Sequence, residues 1–311
     1  VRTYGLKALL VTYDNGFLTE YARRNVRKVV DALGQDHVWL EPPRGLYRPI
    51  YRSSIRSFAV PCVGCTFPGM LWIIKLALEQ RIPLLIHGRS RPQMFKDLTT
   101  GTLDPFLKLL WSNFKPYDRE ANRRWLQEAI RKMNRLSERF VPEPALKPLL
   151  RTTLQPDPEG LDRLPFAPEM LGLFLYEPYD ERRQMDIAER ELGWERPSSR
   201  QLFTHQDCAV HDAVVYLYTL AYGQPMLSQE LSAMIREGEI SRKDAVHRLA
   251  QEPRTGELSR EALHLLSGTA GLTPVEILQA ARKVRLRARL LKTALKLKHA
   301  VVPRARLPIP L

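Results

Sequence analysis

The chain has 311 residues, of which 44% are hydrophobic and 26% are charged, as in globular proteins of one or two domains. Its three cysteines argue against a disulfide framework, because an odd number leaves one thiol over and a chain this long can bury its own core. The net charge is +14; we find no apolar run approaching about 18 residues and no signal peptide, so we expect a cytoplasmic protein without a membrane span.

The first part of the chain alternates predicted strands and helices. An apolar run over residues 6–13 predicts a strand, followed by an amphipathic helix that stops at Gly34 and a second strand at 37–40. A helical run over 71–78 precedes a further strand at 83–88. This alternation predicts an α/β fold with a parallel sheet and crossover connections.

Beyond residue 88 the order of elements changes. Residues 103–140 have helical periodicity with interspersed aromatic side chains and predict a helical insertion. The proline-rich stretch 142–168 predicts an extended connection, and 171–176 predicts one more buried strand. A helix is expected over 180–192, and a series of short helices follows residue 211.

Polar turn residues follow two of the predicted strands. Asp14, Asn15 and Gly16 come after the first strand, and the later strand leads into the run Gly88, Arg89, Ser90 and Arg91. In parallel sheets ligands bind beyond the carboxyl ends of the strands, so we expect both runs at one edge, where they would contact phosphate or ribose. The alternative is a pair of surface turns, because Asn-Gly is also a common turn dipeptide.

The three cysteines are candidates for a metal centre. Cys62 and Cys65 are spaced as a CxxC pair, and Cys208 lies far along the chain between His205 and His211. Thiolates hold zinc or iron-sulfur clusters, so a close pair and a distant third predict a site assembled by folding. Two alternatives remain open: free cysteines are often simply buried, and unligated thiols can be redox-active or catalytic.

The neighbours of these cysteines suggest further roles. We expect the CxxC pair just ahead of a helix, where backbone donors and the helix dipole lower a thiol pKa. A zinc ion would take His205 or His211 as its fourth ligand, as in closed Cys3His sites. Alternatively, His205, Asp207 and His211 act on substrate or cap the helix that begins near residue 212.

Positive charge is concentrated near the C-terminus. Residues 277–311 contain ten Lys or Arg side chains and no acidic ones, with leucines set among the bases at helical spacing. Such a helix offers apolar and cationic surface together, so it would bind RNA, an anionic lipid surface or an acidic partner, or else be a solvated terminal helix. The expected organisation is an α/β domain over 1–204, a helical region over 205–275 and this basic segment over 276–311.

Four stretches, taken in order, resemble N-acetyl sugar amidotransferases. They are residues 9–25, the Cys62 and Cys65 pair, residues 84–88 and residues 231–245. These enzymes belong to the PP-loop ATP pyrophosphatase superfamily (adenine nucleotide alpha hydrolase-like), which also contains sulfate-activating reductases and tRNA thiolation enzymes. The resemblance extends over most of residues 5–250 and implies a parallel-sheet PP-loop domain with a helical C-terminal region.

The defining loop of that superfamily is not matched in this sequence. It has the pattern Ser-Gly-Gly-x-Asp-Ser after the first strand, where backbone amides and a helix N-terminus hold the ATP pyrophosphate. The strand at 6–13 corresponds to the second strand of the family, so we expect a PP-loop domain lacking its first strand, with the loop preceding residue 1. The nearest Gly-rich run, 267–271, is expected to join two helices.

The resemblance also implies a reaction. A substrate oxygen attacks the α-phosphate of ATP, pyrophosphate leaves, and ammonia from a glutaminase partner displaces AMP, with Mg as the metal of ATP. An N-acetyl sugar would thereby gain an acetamidino group, for surface polysaccharide biosynthesis. Arg89 and Arg91 are expected to stabilise charge at phosphorus, and Asp14 and Asn15 to contact the nucleotide.

Other members of the superfamily suggest alternatives. The tRNA thiolation enzymes hold a four-iron four-sulfur cluster with a CxxC pair and one distant cysteine, as Cys62, Cys65 and Cys208 would. The chain is therefore an amidotransferase, a tRNA sulfur-transfer enzyme, or a non-catalytic remnant without its ATP loop. By analogy with the family, a homodimer is also expected.

Overall fold

A computed structural model describes residues 4–89, 118–177, 179–195, 207–251 and 258–301. The predictions for Ser90, Arg91, His205 and residues 103–117 lie outside these ranges. Within them the fold is α/β and mostly helical, with eleven α-helices and two small parallel sheets.

The first sheet follows the predicted strand, helix, strand order. β1 (Leu9–Tyr13) pairs in parallel with β2 (Asp36–Leu40), and α1 (Glu20–Leu33) connects them. The Thr19 side chain caps the start of α1, and the helix ends at Gly34, whose left-handed conformation (φ 60°) suits glycine. The sequence signals for this unit therefore agree with its structure.

The second sheet is also a parallel pair. β3 (Leu84–His87) pairs with β4 (Glu169–Gly172). The strand predicted over 171–176 begins earlier than expected, at Glu169. It also ends earlier, because the chain turns into a 3-10 helix at Leu173–Leu175. Within the described ranges the two sheets are not joined, so the single sheet expected from the sequence is represented by two parallel pairs.

The second helix, α2 (Arg44–Phe58), was not predicted from the sequence. Pro49 lies inside it, and an internal proline usually ends a helix. Leu46, Ile50, Tyr51 and Ile55 are nevertheless fully buried. Their spacing was the available signal, because Leu46 and Ile50, and likewise Tyr51 and Ile55, are four positions apart, which places the members of each pair on the same side of a helix.

The third helix corrects two expectations. α3 (Cys62–Glu79) begins at the first cysteine rather than at residue 71, so the CxxC pair lies in the first turn of the helix. Gly64 and Pro68 made this stretch look interrupted, yet both are buried inside it.

Among the described residues, α3 is also the one helix whose length and apolar composition would allow it to span a membrane, although no such stretch was expected.

The proline-rich connection is more ordered than predicted. After α4 (Arg119–Ser137) the chain forms a 3-10 helix at Pro144–Leu146, then α5 (Lys147–Thr153), then a second 3-10 helix at Pro158–Arg163. A proline stands at the first or second position of each of these three short helices, where its missing N–H is tolerated. The prolines therefore start helices here instead of preventing them.

Six helices complete the described chain. They are α6 (Glu181–Leu192), α7 (His211–Tyr222), α8 (Leu227–Arg236), α9 (Arg242–Gln251), α10 (Arg260–Ala270) and α11 (Pro274–Val301). The last helix, α11, contains most of the basic segment, and it packs against α7 and α2. Ile277, Ala281 and Val284 of α11 are buried, so its first half belongs to the core rather than to a solvated tail.

Two clusters of buried side chains hold these elements together. The larger runs from Phe17 to Val284 and contains residues of all three regions expected from the sequence. The smaller joins Phe67 and Ile74 of α3 to Ile130 of α4. Because α3 has residues packed on both clusters, it links the two clusters.

Candidate functional site

Residues that are distant in sequence surround one open cavity of about 910 Å³. Its lining contains residues from the turn after β1, the start of α3, the end of β3, the segment before α7, and the helices α7 and α11. Among the predicted site residues, those lining it are Asn15, Cys62, Cys65, Arg89, Asp207, Cys208 and His211. The carboxyl ends of β1 and β3 thus lead to the same cavity.

The turn after β1 is fixed by its own side chains. The Gly16 N–H donates to the Asp14 carboxylate (2.9 Å), and the Phe17 N–H donates to the Asn15 side-chain oxygen (2.8 Å). Asp14 is only 2% exposed and forms an ion pair with Arg23. Asp14 therefore holds the turn in place and does not line the cavity, whereas Asn15 does.

Two tyrosines of α2 support the same turn. The Tyr47 hydroxyl donates to the carbonyl of Asp14, and the Tyr51 hydroxyl donates to the carbonyl of Asn15 at 2.5 Å. Their rings stack with centroids 5.7 Å apart. Burial raises the pKa of both hydroxyls, so they remain neutral donors at physiological pH.

The CxxC pair depends on a close approach of α2 and α3. The Gly64 N–H donates to the Ser54 hydroxyl (3.0 Å), which in turn donates to the carbonyl of Val60 (2.8 Å). A Cβ atom at Gly64 would lie 2.9 Å from Ser54 Cβ and 3.1 Å from the carbonyl oxygen of Ile50. Glycine between the two cysteines therefore allows α3 to start against α2.

Cys208 reaches the cavity through backbone pairing with the segment that follows β1. It forms an isolated antiparallel bridge with Leu18. The Thr19 N–H donates to the carbonyl of Asp207 (3.0 Å), and the Ala209 N–H donates to the carbonyl of Phe17 (2.8 Å). These two hydrogen bonds bring the third cysteine beside the turn that carries Asn15.

The three thiols are close enough to influence one another electrostatically. The pKa of Cys65 is raised to about 12: burial raises it most, a hydrogen bond from the Asn15 amide (3.0 Å) lowers it, and the neighbouring Cys62 raises it. Burial also raises the pKa of Cys208, to which Cys62 and Cys65 both add. The sequence led us to expect a lowered pKa for the CxxC pair, and that prediction is wrong for Cys65 because desolvation outweighs the effect of the helix N-terminus.

The donor set of the cavity has the chemistry of a thiolate-held metal site. Three cysteines line it, with His211 and Asp207 beside them, and an amide donates to one sulfur as outer partners of metal ligands commonly do. In the described ranges, however, no three His, Cys, Asp or Glu side chains are arranged to hold a metal ion. Because the raised pKa values of Cys65 and Cys208 keep both thiols protonated, metal binding would have to release their protons.

Sequence reasoning missed two parts of this cavity. Tyr218 and Tyr222 of α7 contribute aromatic surface, and Arg285 and Arg289 of α11 contribute positive charge. The tyrosines are four residues apart in a predicted helix, and the arginines are four apart in the basic segment, so each pair could have been placed on one helix face. Nothing in the sequence indicated that both faces meet the cysteines.

Comparisons with known proteins do not assign this chain to a family. No protein-family model matches the chain, and no curated protein matches it either. The family likeness described above therefore rests on the quoted stretches, and the cavity provides the structural argument for function.

Proposed function

We propose that this chain is part of an ATP-dependent adenylating amidotransferase of the PP-loop type, with Cys62, Cys65 and Cys208 as ligands of one metal centre. The supporting observation is that these three cysteines line one cavity with Asn15 and Arg89. Cys208 lies at least 143 residues from Cys62 and Cys65 in the sequence, so the fold brings the three together. Chance burial of three thiols would not require them to share a cavity with the polar residues that follow two parallel strands. A cytoplasmic location belongs to this proposal, because free thiols persist in a reducing compartment.

The finer fold assignment is part of the same proposal. A PP-loop domain that lacks its first strand would leave open strand edges, and the two parallel pairs β1–β2 and β3–β4 are not joined within the described residues. A further parallel strand would satisfy the unpaired backbone groups of such edges. The glycine-rich loop that binds the ATP pyrophosphate would follow that strand.

The types of side chain that line the cavity suit a centre held by three thiolates, although no three of the described side chains are arranged to hold a metal ion. Cys62, Cys65 and Cys208 would be its ligands, with His205 or His211 as a fourth ligand if the metal is zinc. Zinc in a Cys3His set is a closed structural site, whereas a four-iron four-sulfur cluster with three cysteines leaves one iron open to substrate. Asn15 would stabilise the bound thiolate of Cys65 through its amide hydrogen bond.

The proposed reaction uses the polar residues at the strand ends. In an adenylating amidotransferase the acetamido oxygen of the sugar attacks the α-phosphate of ATP with Mg²⁺ bound, and pyrophosphate leaves. Ammonia from a glutaminase subunit then attacks the activated carbon, and AMP leaves to give the acetamidino group. Arg89, which follows β3 and lines the cavity, would stabilise negative charge at phosphorus, and Asn15 would contact the nucleotide.

A second function is favoured by one specific observation. The cavity combines three cysteines with three arginines, and a tRNA thiolation enzyme would need both a cluster and a surface for phosphates. RNA would then replace the sugar as substrate, and sulfur would replace ammonia as the nucleophile. A non-catalytic remnant is the third possibility if no ATP loop belongs to the protein.

Anaerobic purification separates these functions. A brown protein absorbing near 400 nm, with about four iron atoms per chain, would support the thiolation enzyme, and a colourless protein with one zinc per chain would exclude the cluster. A chain that binds neither metal, even after reconstitution, would contradict the proposed centre.

A reading frame upstream of residue 1 that encodes Ser-Gly-Gly-x-Asp-Ser would support a catalytic enzyme, and ATP–pyrophosphate exchange dependent on an N-acetyl sugar would then identify the amidotransferase.

A further inference from the structure

The basic helix α11 forms one wall of the thiol cavity. Its first half is anchored in the core by Ile277, Ala281 and Val284. The residues that follow at Arg285, Ala288 and Arg289 line the cavity. Because Arg285 and Arg289 are four residues apart, they lie side by side on one face of the helix, and Ala288 lines the cavity next to them.

The charge of the cavity is strongly one-sided. Among the described residues that line it, Arg89, Arg285 and Arg289 are cationic and Asp207 is the one carboxylate. In the part of the chain that the structure describes, no carboxylate pairs with Arg285 or Arg289. A concave surface with like charges focuses the electric field, so the cavity attracts an anion. Two neighbouring guanidinium groups match the geometry of phosphate oxygens.

The rest of the lining fits a small organic molecule rather than a free inorganic ion. Phe58, Tyr218 and Tyr222 contribute aromatic surface, and hydrophobic side chains such as Val214 lie beside them. A volume of about 910 Å³ is in the range of pockets that enclose drug-sized ligands. The cavity therefore offers a flat apolar surface for a ring and a cationic wall for phosphates.

We propose that Arg285 and Arg289 bind the phosphate groups of the acceptor substrate, which is a nucleoside diphosphate or a molecule linked to one. This inference deepens the proposed function, on which it rests, by naming the chemical class of the substrate. The ring system of this substrate lies against Tyr218 and Tyr222 of α7, and its diphosphate lies against the two arginines of α11. The C-terminal helix is thus part of the substrate site.

Binding of the diphosphates UDP and ADP to the full chain, measured by isothermal titration calorimetry, tests this proposal. The double variant Arg285→Gln/Arg289→Gln is expected to lose at least tenfold in affinity. Arg282→Gln/Arg287→Gln is the matched control, because both of its positions are exposed residues of the same helix outside the cavity and the loss of charge is equal. The control variant should bind within about twofold of the unchanged protein.

Several outcomes would overturn the inference. They are the absence of diphosphate binding by the unchanged chain, equal losses in both double variants, and a short single-stranded RNA that binds much more tightly than UDP or ADP through the same two arginines. Metal content distinguishes this failure from failure of the proposed function. The Arg285→Gln/Arg289→Gln variant should retain the full metal content of the unchanged protein, whereas a chain without metal would contradict the proposed centre whatever its diphosphate affinity.

Discussion

The two walls of the cavity differ in what holds them in place. The thiol wall is built into the core: Cys62 and Cys65 start a helix that packs on α2, and Cys208 is tied to the segment after β1. The cationic wall consists of Arg285 and Arg289, which line the cavity beyond the buried part of α11. We infer that substitutions near the thiols change folding stability, and that substitutions of the arginines change ligand binding alone.

The largest effect on stability is expected at the glycine of the CxxC pair. In Gly64→Ala the new methyl group would meet Ser54 Cβ and the carbonyl oxygen of Ile50, neither of which can move freely. We expect the free energy of unfolding to fall by about 2–3 kcal/mol, measured by urea denaturation.

A second helical glycine provides the control for this prediction. Gly268 lies inside α10 with open space where a Cβ would be, so Gly268→Ala should raise the free energy of unfolding by about 0.5–1 kcal/mol. If Gly64→Ala is as stable as the unchanged protein, α2 and α3 do not approach as closely as described.

A smaller loss is expected when the hydroxyl between α2 and α3 is removed. Ser54→Ala abolishes the hydrogen bond to the Val60 carbonyl and leaves the Gly64 N–H without its acceptor in a buried site. The cost should be about 1–2 kcal/mol in thermal or chemical unfolding. Ser232→Ala, at an exposed serine of α8, should change stability by less than about 0.5 kcal/mol, and an equal change in both variants would contradict the account.

The buried thiol of Cys65 makes stability and reactivity depend on pH. Because its pKa is raised to about 12 in the folded, metal-free chain, its contribution to stability is complete below about pH 9 and is lost as the pH rises toward 12. The free energy of unfolding should fall by at most about 1.4 kcal/mol per pH unit in this window.

The rate at which Cys65 is alkylated depends directly on the same raised pKa. At pH 8 Cys65 should react with iodoacetamide about 10³-fold more slowly than an ordinary thiol, because the thiolate is the nucleophile. Cys65→Ala should remove the part of the alkaline stability loss that this thiol causes. Alkylation of Cys65 at the rate of a free thiol would show that the thiol wall is not desolvated.

The smallest effect on stability is expected on the other wall. The free energy of unfolding of Arg285→Gln/Arg289→Gln should lie within about 0.5 kcal/mol of that of the unchanged protein. The reason is that neither side chain has an ion-pair partner in the described part of the chain. Calorimetric melting temperatures would measure this. A large loss of stability would mean that the arginines are structural, and it would remove the contrast between the two walls.

Much of the α/β framework could be predicted from the sequence, and the reasons are local. The strand at 9–13, the capped helix after Thr19 and the glycine that ends it all carry short-range signals. By contrast, α2 was hidden by Pro49, and the first turns of α3 by Gly64 and Pro68. These residues normally break helices, and here tertiary packing overrides that preference.

The site was only partly predictable, for a different physical reason. The residue types of the cysteines, Asn15 and Arg89 suggested chemistry before any contact was known. The raised thiol pKa could not be foreseen, because desolvation depends on packing between distant segments. Nor could the place of α11, since a basic amphipathic pattern is the same whether the helix lies in solvent or against a cavity.

The most direct test of the shared thiol centre is the number of sulfur atoms bound to the metal. X-ray absorption spectroscopy of the metal-loaded chain should find three protein sulfur ligands, at about 2.3 Å if the metal is zinc, and the variant Cys208→Ser should lose one of them. If Cys208→Ser leaves the sulfur coordination unchanged, the metal is held by Cys62 and Cys65 without Cys208, and the account of a single three-cysteine site is contradicted.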